Sequence, residues 1–434
     1  MIEFESVGRT YRDGTADVVD LTLQVPAGQT TVVLGPSGGG ATTVLRMVNR
    51  LVEPSAGRIL WDGAPLRSRR RTALRREMGY VTRSGGLFPH RTVLDNIGAV
   101  PALLGWSRSR TQRRALELLD LVGLEADLAT RYPDQLSGSQ RQRVGLARAL
   151  AADPPVLLLE ELFADADPGD RRQLQALMVD LQRQLGKTVV LVTDDGDEAL
   201  LLGDQVAVLR VDGRLAQVGS PQELLEHPVD AHVEGVLGRD RGFRSLTYLP
   251  AAGLTLSAVQ VVRNLGSAAV TGPMLVVDQD ARPLGWADGS RPEGISPLGA
   301  TFDVEHGTLR QALDAALTSR YGLAVAVTAS SGRYAGVATA AAILASVGGA
   351  RAERAERSRE SATVAIAAVP TDLTDEPLPA AEPGPAPAGA SGGGDVESVT
   401  PHPSSDQPYQ EDRPGPIEDD RDLMRELDAA DARR

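Results

Sequence analysis

The densest chemistry in the chain lies in Gly35-Pro-Ser-Gly-Gly-Gly-Ala-Thr-Thr43, which follows a continuous apolar run, Thr30–Leu34, and precedes a helical run, Val44–Leu51. Strand, glycine-rich loop and helix in that order make a phosphate cradle. Gly35, Gly38, Gly39 and Gly40, with Ser37 among them, let backbone N–H groups point into one concavity, and the helix dipole adds positive potential there. Thr42 has the position of a magnesium ligand, and Thr43 closes the loop. A lysine belongs between Gly40 and Thr42, where its charge-assisted hydrogen bond to the outer phosphates contributes on the order of 1.5–3 kcal/mol. Position 41 holds alanine instead. The chain uses arginine almost to the exclusion of lysine, with Lys187 its single lysine, so simple drift would have left arginine at position 41. Taken alone, the segment also reads as an ordinary glycine turn before a helix.

Other groups suited to phosphate chemistry follow. Leu136-Ser-Gly-Ser-Gln140 opens a helical run to Leu150, so that Ser137, Gly138, Ser139 and Gln140 present hydroxyls and amides at a helix N-terminus, where an anion or a plain N-cap would use them. The apolar run Val156–Leu159 ends in two carboxylates, Glu160 and Glu161, with Asp167 beyond. Gly79–Asn96 carries Arg83 early in a loop, and Val192–Ala199 carries Asp194 directly after another apolar run, Thr188–Val192. Tyr11 is an aromatic near the start of the chain, suited to stacking on a base or to a core.

Together these segments resemble the ATP-binding subunits of ABC transporters. The stretches GLFPHRTVLDNI and DEALLLGDQVAVLRVDGRLAQVGSPQELLEHP, with the region after them, resemble the quaternary-amine importer branch for glycine betaine, choline or carnitine, over roughly residues 1–347. The resemblance implies ATP and Mg as cofactors. It gives Tyr11 an adenine-stacking role and Glu161 that of the base activating water. It places Ser137–Gln140 on nucleotide held by an opposite subunit, and Asp167 at a dimer contact. It also marks replacements in the subunit's own phosphate site: Ala41 for Lys, Arg83 for Gln, Glu160 for the magnesium-associated Asp, and Asp194 for the His that bonds the γ-phosphate. Leu162 replaces a usual proline. An anion at 194 repels phosphate unless protonated or bridged by metal, whereas Arg83 could restore some positive charge. The losses fall on groups serving the subunit's own site and spare the loop that serves a partner's. Three readings follow: a subunit that hydrolyses ATP poorly by itself but completes a competent partner's site, an ordinary active ATPase with tolerated substitutions, or a catalytically silent nucleotide-binding regulator. The partners implied are membrane permease subunits, a second ATP-binding subunit (itself or an intact paralogue) and, indirectly, an extracellular or periplasmic substrate-binding protein. Nucleic acid is not implied.

The elements that must position these groups read as a mixed α/β chain. Short apolar runs alternate with helical patterns from Met1 to about residue 235, giving an α/β nucleotide-binding domain with a helical subdomain. Residues 239–348 read as a smaller α+β tandem repeat: Leu275–Asp278 then Pro283–Trp286 resembles Ala324–Val327 then Tyr334–Val337, each pair preceded by a helix. In the second copy Leu309, Ala312, Leu313, Ala316 and Leu317 share one helical face. The resemblance makes this a CBS-like pair, in which Thr339 stands where a ribose-holding threonine would but without the following Asp. RAERAERSRE reads as a short charged helix, and 361–434 as a disordered acidic Pro/Gly/Ala-rich tail with a possible short helix near Leu423–Ala430.

The formal charge is −13, but residues 361–434 hold 16 acidic and 5 basic residues, so the remainder is near neutral. There is no cysteine, which excludes disulfides, thiolate metal sites and cysteine nucleophiles. No apolar run or leader pattern suggests membrane insertion. The expected location is cytoplasmic, peripheral at the inner face of the membrane.

Overall fold

Val and Leu in unbroken runs need cover on both faces, and that need builds the centre of the molecule. The computed structural model describes residues 1–238, 240–263, 273–287 and 295–349. At the N-terminus β1 (Ile2–Thr10) and β2 (Ala16–Val25) pair antiparallel. The three expected runs become β3 (Thr30–Leu34), β7 (Val156–Glu160) and β8 (Thr188–Thr193), each buried along its whole length. β4 (Ala56–Trp61) and β5 (Ala64–Pro65) join β1 and β2 in a four-stranded sheet. β6 (Met78–Val81), β9 (Gln205–Leu209) and β10 (Leu215–Gly219) complete a six-stranded sheet, in order β10-β9-β3-β8-β7-β6. Pairing there is parallel except between β9 and β10. The loops after β3, β6, β7 and β8 therefore leave the same edge of the sheet, where a parallel sheet builds its ligand sites.

The first helix, α1 (Ala41–Val48), starts earlier and stops sooner than the sequence pattern suggested, because Asn49 caps it. Then come α2 (Arg71–Arg76), α3 (Val93–Ile97), α4 (Ala99–Leu103), α5 (Arg108–Leu121) and α6 (Gly138–Leu150). They are followed by α7 (Pro168–Leu185), α8 (Gly196–Leu202), α9 (Pro221–Glu226), α10 (Ala231–Leu237) and α11 (Arg241–Ser245). Two cores flank the large sheet. Its one face, with Val32, Leu34, Leu157 and Leu159, packs on α5 to α7. The other, with Val33, Leu158, Val190 and Val192, packs on α1 and the N-terminal sheet. The helical subdomain of the sequence reading is α3 to α6.

The C-terminal part repeats one small topology. β11 (Val261–Val262), β12 (Met274–Val277) and β13 (Pro283–Ala287) form a sheet in which the first pair is parallel and the second antiparallel. β14 (Thr301–Asp303), β15 (Leu323–Val327) and β16 (Tyr334–Thr339) repeat that order and those directions, with α12 (Leu309–Thr318) between the parallel strands. The helix expected in the first copy, the charged helix after Ala350 and the acidic tail all lie outside the described residues. On α12 the face is Leu309, Ala312, Leu313, Ala315 and Ala316, whereas Leu317 is exposed. The chain leaves the helix one residue later, so position 317 has no sheet to cover it.

Candidate phosphate site

The loop after β3 has the form of an anion cradle for reasons visible atom by atom. Gly38 and Gly40 lie at φ 81° and 82°, and a Cβ on Gly40 would stand 1.9 Å from the Asp17 carbonyl oxygen, so only glycine serves there. Gly40 caps α1 with no side-chain hydrogen bond, leaving the first-turn amides for an external acceptor. Ala41 is buried and supplies no charge, and Thr42 is half-buried. The Thr43 hydroxyl is taken internally, donating to Asp17 Oδ2 at 2.7 Å, with Tyr11 Oη 3.5 Å away. Tyr11 is partly exposed and carries the Arg9 guanidinium 4.6 Å from its ring centroid. Asp17 had no distinguishing signal in the sequence; it adds an anion beside the loop.

The two carboxylates at the end of β7 point to different partners. Glu160 is buried, its Oε1 accepting from Arg46 Nη2 at 3.0 Å and its Oε2 from the Tyr80 hydroxyl. Burial, then the Glu160 charge, push the Tyr80 hydroxyl far above its ordinary pKa, so it remains a donor. Glu161 is in the left-handed region at φ 46°, its amide donating to the Val192 carbonyl of β8 at 2.9 Å. Its Oε2 accepts from Arg83 Nη1 at 2.9 Å, and Arg83 Nε reaches Asp165 Oδ1 at 3.4 Å. The Arg83 charge, which the sequence reading set against phosphate, is thus held by two carboxylates. Arg46, Tyr80 and Asp165 were not singled out from the sequence; that a strand tyrosine and a helix arginine meet one carboxylate is set by strand order.

The loop after β8 is acidic. Asp194 is exposed, while Asp195 caps α8 and stands 3.6 Å from an Arg171 nitrogen. Glu198 is buried and accepts from the Thr193 hydroxyl at 2.6 Å. Burial raises its pKa, with Asp195 and Asp194 adding to the rise against the lowering effect of the Thr193 bond. No group of three or more His, Cys, Asp or Glu placed to hold a metal ion occurs among the described residues.

The Ser137–Gln140 segment forms a capping box: the Ser137 hydroxyl accepts from the Gln140 amide at 3.1 Å and Gln140 Oε1 from the Ser137 amide at 2.9 Å. Ser137 is exposed, Gly138 and Gln140 are half-buried and Ser139 is buried. Asp167 is the N-cap of α7, accepting from the Gly169 and Asp170 amides at 3.0 Å each. α6 also grips the loop that carries Arg83. Gln142 Nε2 donates to the Arg83 carbonyl at 3.1 Å, Arg148 to those of Gly85 and Gly86 at 2.9 and 2.6 Å, and a Cβ on Gly145 would crowd the Gly85 oxygen at 2.9 Å. The buried Asn96 side chain then ties Phe88 to Thr92 through four hydrogen bonds.

Residues 18–164 match the family described as ABC transporter. Over 304 residues the chain is 42% identical to the osmoprotectant import ATP-binding protein OsmV of Salmonella typhimurium, covering 67% of this chain and 78% of that protein. It belongs to the ABC transporter ATP-binding subunits. This ABC subunit is also 48% identical to the glycine betaine uptake system ATP-binding protein YehX of Escherichia coli, over 57% of its own length and 80% of that protein. It is 44% identical to the choline transport ATP-binding protein OpuBA of Bacillus subtilis over 56% of its length, spanning 64% of that relative. ABC ATPases bind ATP, and those of importers dimerise and work with membrane permease components. No described helix of this ABC subunit is long and apolar enough to cross a membrane.

Proposed function

We propose that this ABC subunit binds ATP within an importer of quaternary amines or related osmoprotectants, turns ATP over poorly at its own site, and completes the site of a competent partner. One observation carries the reading: both carboxylates that end β7 are engaged by arginines, Glu160 by Arg46 and Glu161 by Arg83. A carboxylate held by a guanidinium is oriented to that partner rather than toward a water. The relatives' activities named above support the substrate class. The nucleotide would contact Tyr11, Gly35, Ser37, Gly38, Gly39, Gly40, Ala41, Thr42 and Thr43, with Thr42 the hydroxyl the motif assigns to Mg. Glu161 is the candidate base in an impaired setting. Ser137, Gly138, Ser139 and Gln140 would serve a partner's nucleotide from a helix N-terminus at which Ser137 is exposed and Ser139 buried, and Asp167 would lie at the dimer contact.

The remaining assignments share this basis. The segment Gly79–Asn96, beyond Arg83, meets the permease at the inner face of the membrane, with a substrate-binding protein acting on the far side. Residues 1–235 are the nucleotide domain, 239–348 a CBS-like pair and 361–434 an unstructured tail. The repeated sheet topology supports the pair. Thr339 caps the helical residues 340–349 through Ala342, at 3.1 Å, which fits packing better than ribose binding.

Steady-state ATP turnover by the purified chain, alone and mixed with a neighbouring ATPase subunit, tests the function. Little turnover alone, turnover on mixing, and loss of the latter in Ser137→Ala of this chain are expected. Full turnover by the chain alone, abolished by Glu161→Gln, would refute the proposal.

A further inference from the structure

A hard dication needs oxygen atoms with lone pairs to spare, and Mg in particular demands a near-octahedral set of them. At this phosphate site the motif offers three side chains: the Thr42 hydroxyl, position 83 and position 160. Position 83 carries a guanidinium, which has donors only and repels a cation. Each Glu160 oxygen already accepts one bond, from Arg46 Nη2 at 3.0 Å and from Tyr80; a lone pair remains on each, but the adjacent Arg46 charge neutralises the carboxylate and repels a cation, and the side chain is only 10% exposed. The next carboxylate, Glu161, is held by Arg83 at 2.9 Å. Thr42 alone is left, so the residues do not fit the ion that the family's nucleotide usually brings.

We propose that this subunit's own phosphate site takes its nucleotide without a divalent cation, the Arg83 guanidinium holding the place and the charge that a metal would hold. The inference rests on the reading that the loop binds ATP. Arg83 can take a further acceptor without releasing Glu161: the bonds to Glu161 and Asp165 use Nη1 and Nε, two of its five N–H donors, and its side chain is 59% exposed. The remaining N–H groups of the guanidinium can form charge-assisted bonds to phosphate oxygens. The loop itself lacks a lysine, so positive charge from outside it is needed whether or not a metal is present.

The test is equilibrium binding of ATP to the full chain, once with excess Mg and once with a chelator. The expected dissociation constants agree within about twofold, and Arg83→Ala weakens binding by roughly tenfold or more with the chelator present. The double variant Arg83→Gln, Glu160→Asp is expected to make binding depend on Mg. A wild-type affinity that falls about tenfold on chelation overturns the proposal while leaving ATP binding intact. A double variant as indifferent to chelation as the wild type overturns the assignment to Arg83. Absence of binding under both conditions overturns the proposal together with the reading beneath it, so the two failures are distinguishable.

Discussion

Glu160 shows how fully a carboxylate at the end of a strand can be engaged. The side chain stays on β7, but its oxygens end on Arg46 and Tyr80. Removing one partner from such a buried pair leaves an uncompensated charge. Arg46→Met should therefore cost about 3 kcal/mol, the low end of that range because Arg46 is 27% exposed, as read by urea unfolding. Tyr80→Phe removes a donor to a charge and should cost about 1–2 kcal/mol by the same measurement. Glu198 behaves oppositely with pH. Its folded pKa is raised by burial, so the folded state binds the proton more readily, and stability is lost as pH rises through that pKa. Glu198→Gln keeps an acceptor for Thr193 and should raise the melting midpoint at about pH 8, the gain shrinking as pH falls toward the raised pKa of the folded state. These partnerships were not legible in the sequence. Arg83 and Glu161 lie 78 positions apart and meet only because β6 and β7 are neighbours.

At the scale of elements, much could be read in advance. Thr30–Leu34 became β3 residue for residue, since a strand covered on both faces has no alternation to blur. The serine and glycine opening of α6 was readable both as an anion site and as a cap, and geometry shows that the cap is made. Ser137→Ala should accordingly destabilise the chain by about 1 kcal/mol, read by urea unfolding, whatever it does to turnover on mixing. The helix face of α12 was readable except at its last position, where Leu317 outlasts the sheet. At Gly40, backbone room is so short that Gly40→Ala should abolish ATP binding and lower the melting temperature, both measurable on the purified chain.

Across the whole molecule, the described residues fall in one compact unit. The Tyr248 hydroxyl donates to the Leu200 carbonyl of α8 at 2.6 Å, and burial pushes its pKa up to about 12, so it keeps its proton under physiological conditions. This bond ties the segment after α11 to the helix that follows Asp194. Tyr248→Phe should cost about 1 kcal/mol of stability. The grip of α6 on the 83–86 loop matters most at this scale. With backbone touching near Gly145 and two carbonyls held by Arg148, loop and helix have no room to slide past each other. They are built like a rocker arm, with Phe88 just beyond one end and Ser137, the N-cap of α6, at the other. On the function proposed above, a thrust from outside would travel along α6 toward a neighbouring subunit without passing through this chain's own phosphate loop.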